Sequence, residues 1–153
     1  MPAKTSLLYD VFVLYQSVGA MLVRALAPAP LTPEEYAIYS HVLEYDRCTP
    51  SEMARDLDMP LQTVSDWIAV LRKRGHLLST ANDRDRRSYR ISLTEEGRRM
   101  QQETNVHFEQ AYRLFVESLR TPERQLRTHV QEMTAAARTA TVAVERQMLK
   151  GSA

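Results

Sequence analysis

Apolar residues recur along this chain with a helical period at both ends and with a strand period over one short stretch between them. Leu7, Leu8, Val11, Leu14, Tyr15, Val18, Met21, Leu22, Ala25 and Leu26 form a wide stripe on a helix from about Ser6 to Leu26, which Pro28 and Pro30 bring to an end. A second helix from Pro33 to about Tyr45 and a short third one from Pro50 to Leu57 both open on Thr-Pro. The hydroxyl accepts from a first-turn backbone N–H, and proline sits where no donor is needed. Glu35 and Glu52 follow their threonines by three residues and complete two capping boxes. Asp58 to Pro60 breaks the third helix, and a fourth runs from Leu61 to about Arg74. It places Val64, Trp67, Ile68 and Leu71 inward and Gln62, Ser65, Asp66, Arg72 and Lys73 outward, and Gly75 terminates it.

The period then drops to two. Tyr89, Ile91 and Leu93 point one way while Ser88, Arg90 and Ser92 point the other, the pattern of a half-buried edge strand. His76 to Ala81 supplies an antiparallel partner, with Asn82 and Asp83 as turn-tolerant residues between them. Thr94 caps a long helix to about Leu119, and a third Thr-Pro, at 121 to 122, starts a last helix to about Leu149. The fold class is mainly α with a small β-hairpin.

Length changes this picture little, since 153 residues suffice for an ordinary domain with helical extensions. Charge changes it more. The total is only +1, yet Leu61 to Ile91 holds seven cations (Arg72, Lys73, Arg74, Arg84, Arg86, Arg87, Arg90) against Asp66, Asp83 and Asp85, leaving −3 on the remainder. Part of that cluster suits the negative end of the fourth helix, at Arg72, Lys73 and Arg74. The arginines of the hairpin crowd one another unless an anion meets them, and phosphate is the obvious one; the alternative is a solvated loop whose Asp and Arg side chains pair internally.

A single cysteine, Cys48, excludes a disulfide framework or a cysteine-based zinc site and fits a reducing compartment. Its neighbour Arg47 favours a reactive thiolate, whereas packing makes it an inert thiol. Lys4 followed by Ser6 to Tyr15 faintly imitates a signal peptide, but Asp10 and Gln16 interrupt it. No unbroken run of 18 apolar residues occurs, so the chain is expected to be soluble, cytoplasmic and without a membrane span. No nucleophile elbow, phosphate-cradling glycine loop or HExxH helix occurs, and His41, His76, His107 and His129 form no pair three or four apart. Catalysis, a metal and a cofactor are all unexpected.

A short helix, a tight break and a helix with a polar first turn make a helix-turn-helix, followed directly by the basic hairpin as a wing. The stretch SEMARDLDMPLQTVSDWIAVLRKRGHL, then DRDRRSYRISLTEEG, resembles the MarR family of bacterial winged-helix transcriptional regulators. The likeness spans nearly the whole chain and is most specific at Asp85, Arg87 and Ser88 and in Leu93-Thr94-Glu95-Glu96-Gly97. It implies a winged helix-turn-helix with a dimerisation helix in residues 1–31, a DNA-binding region in 32–97 and C-terminal dimerisation helices in 98–153, as one continuous domain. It also implies that Leu61, Gln62, Thr63, Ser65 and Asp66 face base edges, with Arg72 and Lys73 near phosphates.

In the wing the resemblance implies Arg84, Asp85, Arg86, Arg87 and Ser88 at the minor groove, with Arg86 at the tip and Arg87 braced by Asp85. Two residues depart from the family pattern: Pro60 stands where a serine cap is common, and Asp66 where relatives carry a basic or neutral residue. An aspartate there accepts from cytosine, orients a neighbouring Arg, or is merely solvated.

Leu126, Val130, Met133, Ala137, Ala140, Val144 and Met148 recur at spacings of four, three, four, three, four and four, a coiled-coil-like seam that either another copy or intrachain packing covers. The resemblance implies a homodimer on a palindromic operator, with recognition helices about 34 to 36 Å apart. It implies a ligand-responsive repressor whose effectors are small aromatic molecules. The sequence names no ligand, and Tyr9, Tyr15, Tyr36, Tyr39, Tyr45 and Tyr112 serve equally as core. The rival reading is a dimeric helical protein-interaction module with a degenerate DNA-reading head.

Overall fold

The computed structural model describes residues 6–85 and 87–151, so Arg86, expected at the wing tip, lies outside the described residues. In chain order the elements are α1 (Leu7–Ala25), α2 (Pro33–Glu44), α3 (Pro50–Asp56), α4 (Leu61–Lys73), β1 (Leu77–Ala81), β2 (Tyr89–Leu93), α5 (Glu95–Glu117) and α6 (Glu123–Gly151). The chain divides into two compact units, residues 1–111 and 112–153, with the boundary inside α5.

Both capping boxes form. Thr32 Oγ1 accepts from the Glu35 N–H at 3.2 Å while the Glu35 carboxylate accepts from the Thr32 N–H at 3.0 Å. At α3 the reciprocal pair is 3.2 and 2.7 Å, and the Thr49 N–H bond holds the Glu52 carboxyl below its ordinary range. The break between α3 and α4 is made by Asp58 at φ 51°, a left-handed conformation that aspartate tolerates, with the Met59 N–H returning to the Ala54 carbonyl at 2.9 Å. Gly75, at φ 77°, closes α4 in the same way.

The hairpin pairs antiparallel from Leu77↔Leu93 to Ala81↔Tyr89. One expectation fails here: β2 is not an edge strand along its whole length. The Ile91 N–H donates to the Cys48 carbonyl at 2.9 Å, so at that point the sheet has a third member. Arg47, at φ 65°, turns the chain after α2 so that Cys48 reaches Ile91. A single bridging residue carries no alternating pattern, which is why the sequence does not announce it.

Around this sheet the first unit packs a core of Ile38, Tyr39, Val42, Met53, Val64, Ile68, Leu71 and Ile91, each essentially removed from solvent. Trp67, expected inward, is half-buried and packs against the edge of that core. The Leu-Thr-Glu-Glu-Gly segment docks α5 on the head: Thr94 Oγ1 donates to the Gly75 carbonyl at 2.8 Å and accepts from the Gly97 N–H at 3.0 Å. A β-carbon at Gly97 would collide with the His76 carbonyl oxygen, so only glycine fits.

The ends of the chain behave differently. Residues 7–17 of α1 are all exposed, Leu8 at 78% and Tyr15 at 71%. Averaged over 18 residues its mean hydropathy is 1.3, so by length and composition α1 is able to cross a membrane despite Asp10 and Arg24. The expectation of no such segment rested on unbroken apolar runs, which a windowed average does not require. In α6 no described residue is buried, and Val130, Val144, Met148 and Leu149 stand in solvent.

Candidate nucleic-acid interface

The buried stripe Val64, Ile68 and Leu71 fixes how α4 is rolled against the core, and this alone decides which residues it shows outward. Leu61, Gln62 and Asp66 are exposed, Thr63 and Ser65 half-buried, and Arg72 and Lys73 exposed at the far end. Asp66 finds its partner within the helix: Gln62 Nε2 donates to Asp66 Oδ1 at 2.8 Å, one turn apart. The neighbour that the Asp66 carboxylate orients is thus Gln62 and not an arginine. The α4 N-terminus begins at Pro60 with no side-chain cap, leaving its first N–H groups without a side-chain acceptor.

Arg74 is withdrawn from the basic cluster. Its Nη1 donates to the buried Glu35 Oε1 at 2.5 Å, which raises its pKa still further, and Glu35 is at the same time the capping residue of α2. Beside it the Tyr39 hydroxyl and His76 Nδ1 are hydrogen-bonded at 2.6 Å. These two links tie the end of α4 and the approach to β1 onto α2, so α4 and the root of the hairpin share one support.

The wing is knotted by a buried asparagine that the sequence marks only as a turn residue. Asn82 Nδ2 donates to Ser88 Oγ at 2.6 Å, while its Oδ1 accepts from the Arg84 backbone N–H at 3.2 Å and from Arg90 Nε at 3.3 Å. Asp85 does hold Arg87, but by its backbone: Asp85 Oδ1 accepts from the Arg87 N–H at 3.0 Å, and among the described residues no ion pair joins the carboxylate to the guanidinium. The expected charge-charge brace is thus an Asx-type turn. Ser88 Oγ closes the loop by donating to the Asp85 carbonyl at 3.2 Å. Asp85 and Ser88 are committed to the shape of the tip, and the Arg84 and Arg87 side chains are left exposed.

Cys48 is buried in the sheet, and desolvation with nearby carboxylates pushes its thiol up to about 11, so it carries no thiolate at neutral pH. Tyr36 and Tyr39 are core residues, with Tyr36 stacked on Phe108 at 4.8 Å and donating to Asn105 Oδ1 at 2.6 Å. Tyr9, Tyr15 and Tyr45 are exposed. Among the described residues no group of three or more His, Cys, Asp or Glu is placed to hold a metal ion.

The architecture is that of a winged helix-turn-helix protein: two short helices at a tight break, a two-stranded ribbon after the second, and long helices before and after them. Among solved structures, the transcriptional regulator MOSR of M. tuberculosis in complex with DNA superposes with a TM-score of 0.76 at 22% identity, over 88% of this chain and 98% of that one. The PcaV transcriptional regulator of Streptomyces coelicolor, bound to its natural ligand, gives 0.72 at 18% identity over 90% and 99%. Wild-type MarR of E. coli gives 0.66 at 17% identity over 84% and 96%. At these identities the likeness establishes the fold, which is that of MarR-type regulators. No family model matches the sequence, and no curated protein does.

Proposed function

We propose that this protein is a sequence-specific DNA-binding transcriptional regulator of the MarR type, acting in the cytoplasm as a homodimeric, ligand-responsive repressor and not as an enzyme. The observation that carries the reading is the pairing of exposed Gln62 and Asp66 on the outer face of α4 with an arginine-bearing ribbon in the same compact unit. In this reading α4 enters the major groove and the wing the adjacent minor groove, where a narrow A·T-rich segment concentrates negative potential for Arg84, Arg86 or Arg87. Arg72 and Lys73 neutralise phosphates. With one amide proton on Asp66, Gln62 retains its carbonyl oxygen and a second N–H, the acceptor and donor that adenine N6 and N7 require.

Two copies cover what one leaves open. The seam of α6 and the exposed stripe of α1 are each apolar over several turns, more than a soluble chain leaves in water. Insertion of α1 into a bilayer would leave the α6 seam uncovered, whereas a second copy accounts for both. The ligand-bound regulator from Streptomyces supports a small effector for this fold, and the aromatic class follows from the family resemblance alone.

The test is DNA affinity against salt. A duplex binder loses affinity with a log-log slope of about −0.9 per phosphate neutralised, and a protein-interaction module shows no such slope. Arg86→Ala is expected to weaken operator binding with the dimer and its melting temperature unchanged; unaltered affinity sinks the wing assignment.

A further inference from the structure

We infer that the cleft between the α2–α3 connection and the root of the wing is a phosphate site, used by a backbone phosphate of the bound duplex. The cleft has a volume of about 360 Å³ and is lined by Arg47, Asn82, Asp83, Arg84 and Arg90. Three guanidinium groups meet one carboxylate along this open cleft, a net charge of about +2 among its lining residues. Among the described residues none of the three arginines has an ion-pair partner, and neither Arg47 nor Arg84 offers its guanidinium to any hydrogen bond. Asp83 in the cleft and Glu52, which is electrostatically coupled to Arg90, offset only part of this positive charge, and a bound anion relieves the remainder.

The cluster is built rather than accidental. Arg90 is held from two sides, its Nη1 donating to the Arg47 carbonyl at 2.6 Å and its Nε to Asn82 Oδ1 at 3.3 Å, which leaves further N–H groups uncommitted. The same Asn82 oxygen takes the Arg84 N–H, so one buried side chain positions two of the three arginines. Arg47 is supplied from far away in sequence by a residue at φ 65°, beside the Cys48–Ile91 bridge. Arg47 lies outside the basic cluster the sequence suggests, and Arg90 belongs to it only as one of the crowded hairpin arginines. A polar, open cleft of this charge suits a phosphate with its sugar and does not suit an aromatic effector.

This inference rests on the DNA-binding reading for its source of phosphate, and the experiment separates the two. Arg47→Gln and Arg84→Gln are compared with the unaltered protein for duplex affinity across a salt series, and for the rise in melting temperature on adding inorganic phosphate. Arg90 is left alone because it also braces the wing. Each substitution is expected to flatten the salt slope by about 1, with the melting temperature in phosphate-free buffer unchanged. Loss of the phosphate-induced rise with an unchanged slope supports the cleft but assigns it to a free phosphorylated ligand. No change in either measurement overturns the site. An unaltered protein with no salt-dependent DNA binding refutes the proposed function, and the phosphate arm still decides the cleft.

Discussion

The winged helix-turn-helix head and the terminal helices are written in the same periodic code and end in opposite states. In the head, Ile38, Tyr39, Met53, Ile68, Leu71 and Ile91 are at most 1% exposed, whereas α6, with a seam of comparable regularity, buries none of its described residues. Helix α1 buries none of its own residues either, and burial begins only at Leu26, just past its end. The difference teaches that periodicity fixes which face of a helix is apolar but not what covers it. In the head the cover is supplied by neighbouring elements; at the ends the apolar faces of α1 and α6 stay exposed, and the proposed second copy is what would cover them.

Charging the seam breaks this comparison most severely. Val130→Asp with Val144→Asp is expected to dissociate the dimer and to lower operator affinity by about 10² to 10⁴, the gain that joining two half-site contacts provides. Sedimentation and a binding titration check it, and a dimer that survives both charges would return the seam to intrachain packing. The next effect is confined to the head. Gly97→Ala forces a methyl against the His76 carbonyl and is expected to destabilise the protein by about 1–3 kcal/mol in a denaturant melt. An unchanged midpoint would mean that α5 does not need its close approach to β1.

The smallest effect sharpens the contrast through pH. Burial lowers the pKa of His41, the Nε2 of which makes no hydrogen bond among the described residues and lies 3.9 Å from Asp56 Oδ2. Asp56 and Glu44 oppose that shift without cancelling it. The unfolded chain therefore takes the proton first, so stability present above about pH 6.5 declines as pH falls through that value towards the lower folded one. A melting temperature that follows this course in the unaltered protein and flattens in His41→Phe supports the assignment, and parallel pH profiles contradict it.

Much of the fold was legible because its punctuation is local. Thr32-Pro33, Thr49-Pro50, Gly75 and Thr94 each act within one helical turn, and the inward residues of α4 follow from spacing alone, Trp67 excepted. What escaped the sequence is non-local. The Cys48–Ile91 bridge joins residues 43 apart in numbering, and the withdrawal of Arg74 depends on Glu35 in another helix. The Asp85–Arg87 pair shows a subtler limit: the two residues were rightly placed together, but charge suggested an ion pair where the turn geometry chose the backbone N–H. Arg47 went unnoticed because a lone arginine before a helix start gives no sign of the arginines it will meet.

Paired, sequence-specific contact with DNA is tested most directly by selection of duplexes from a random pool with the purified protein. An enriched palindrome is expected, with half-sites centred about one helical turn, roughly 10 base pairs, apart. A pool with no enriched motif, or one enriched only in an unrepeated half-site, would contradict it.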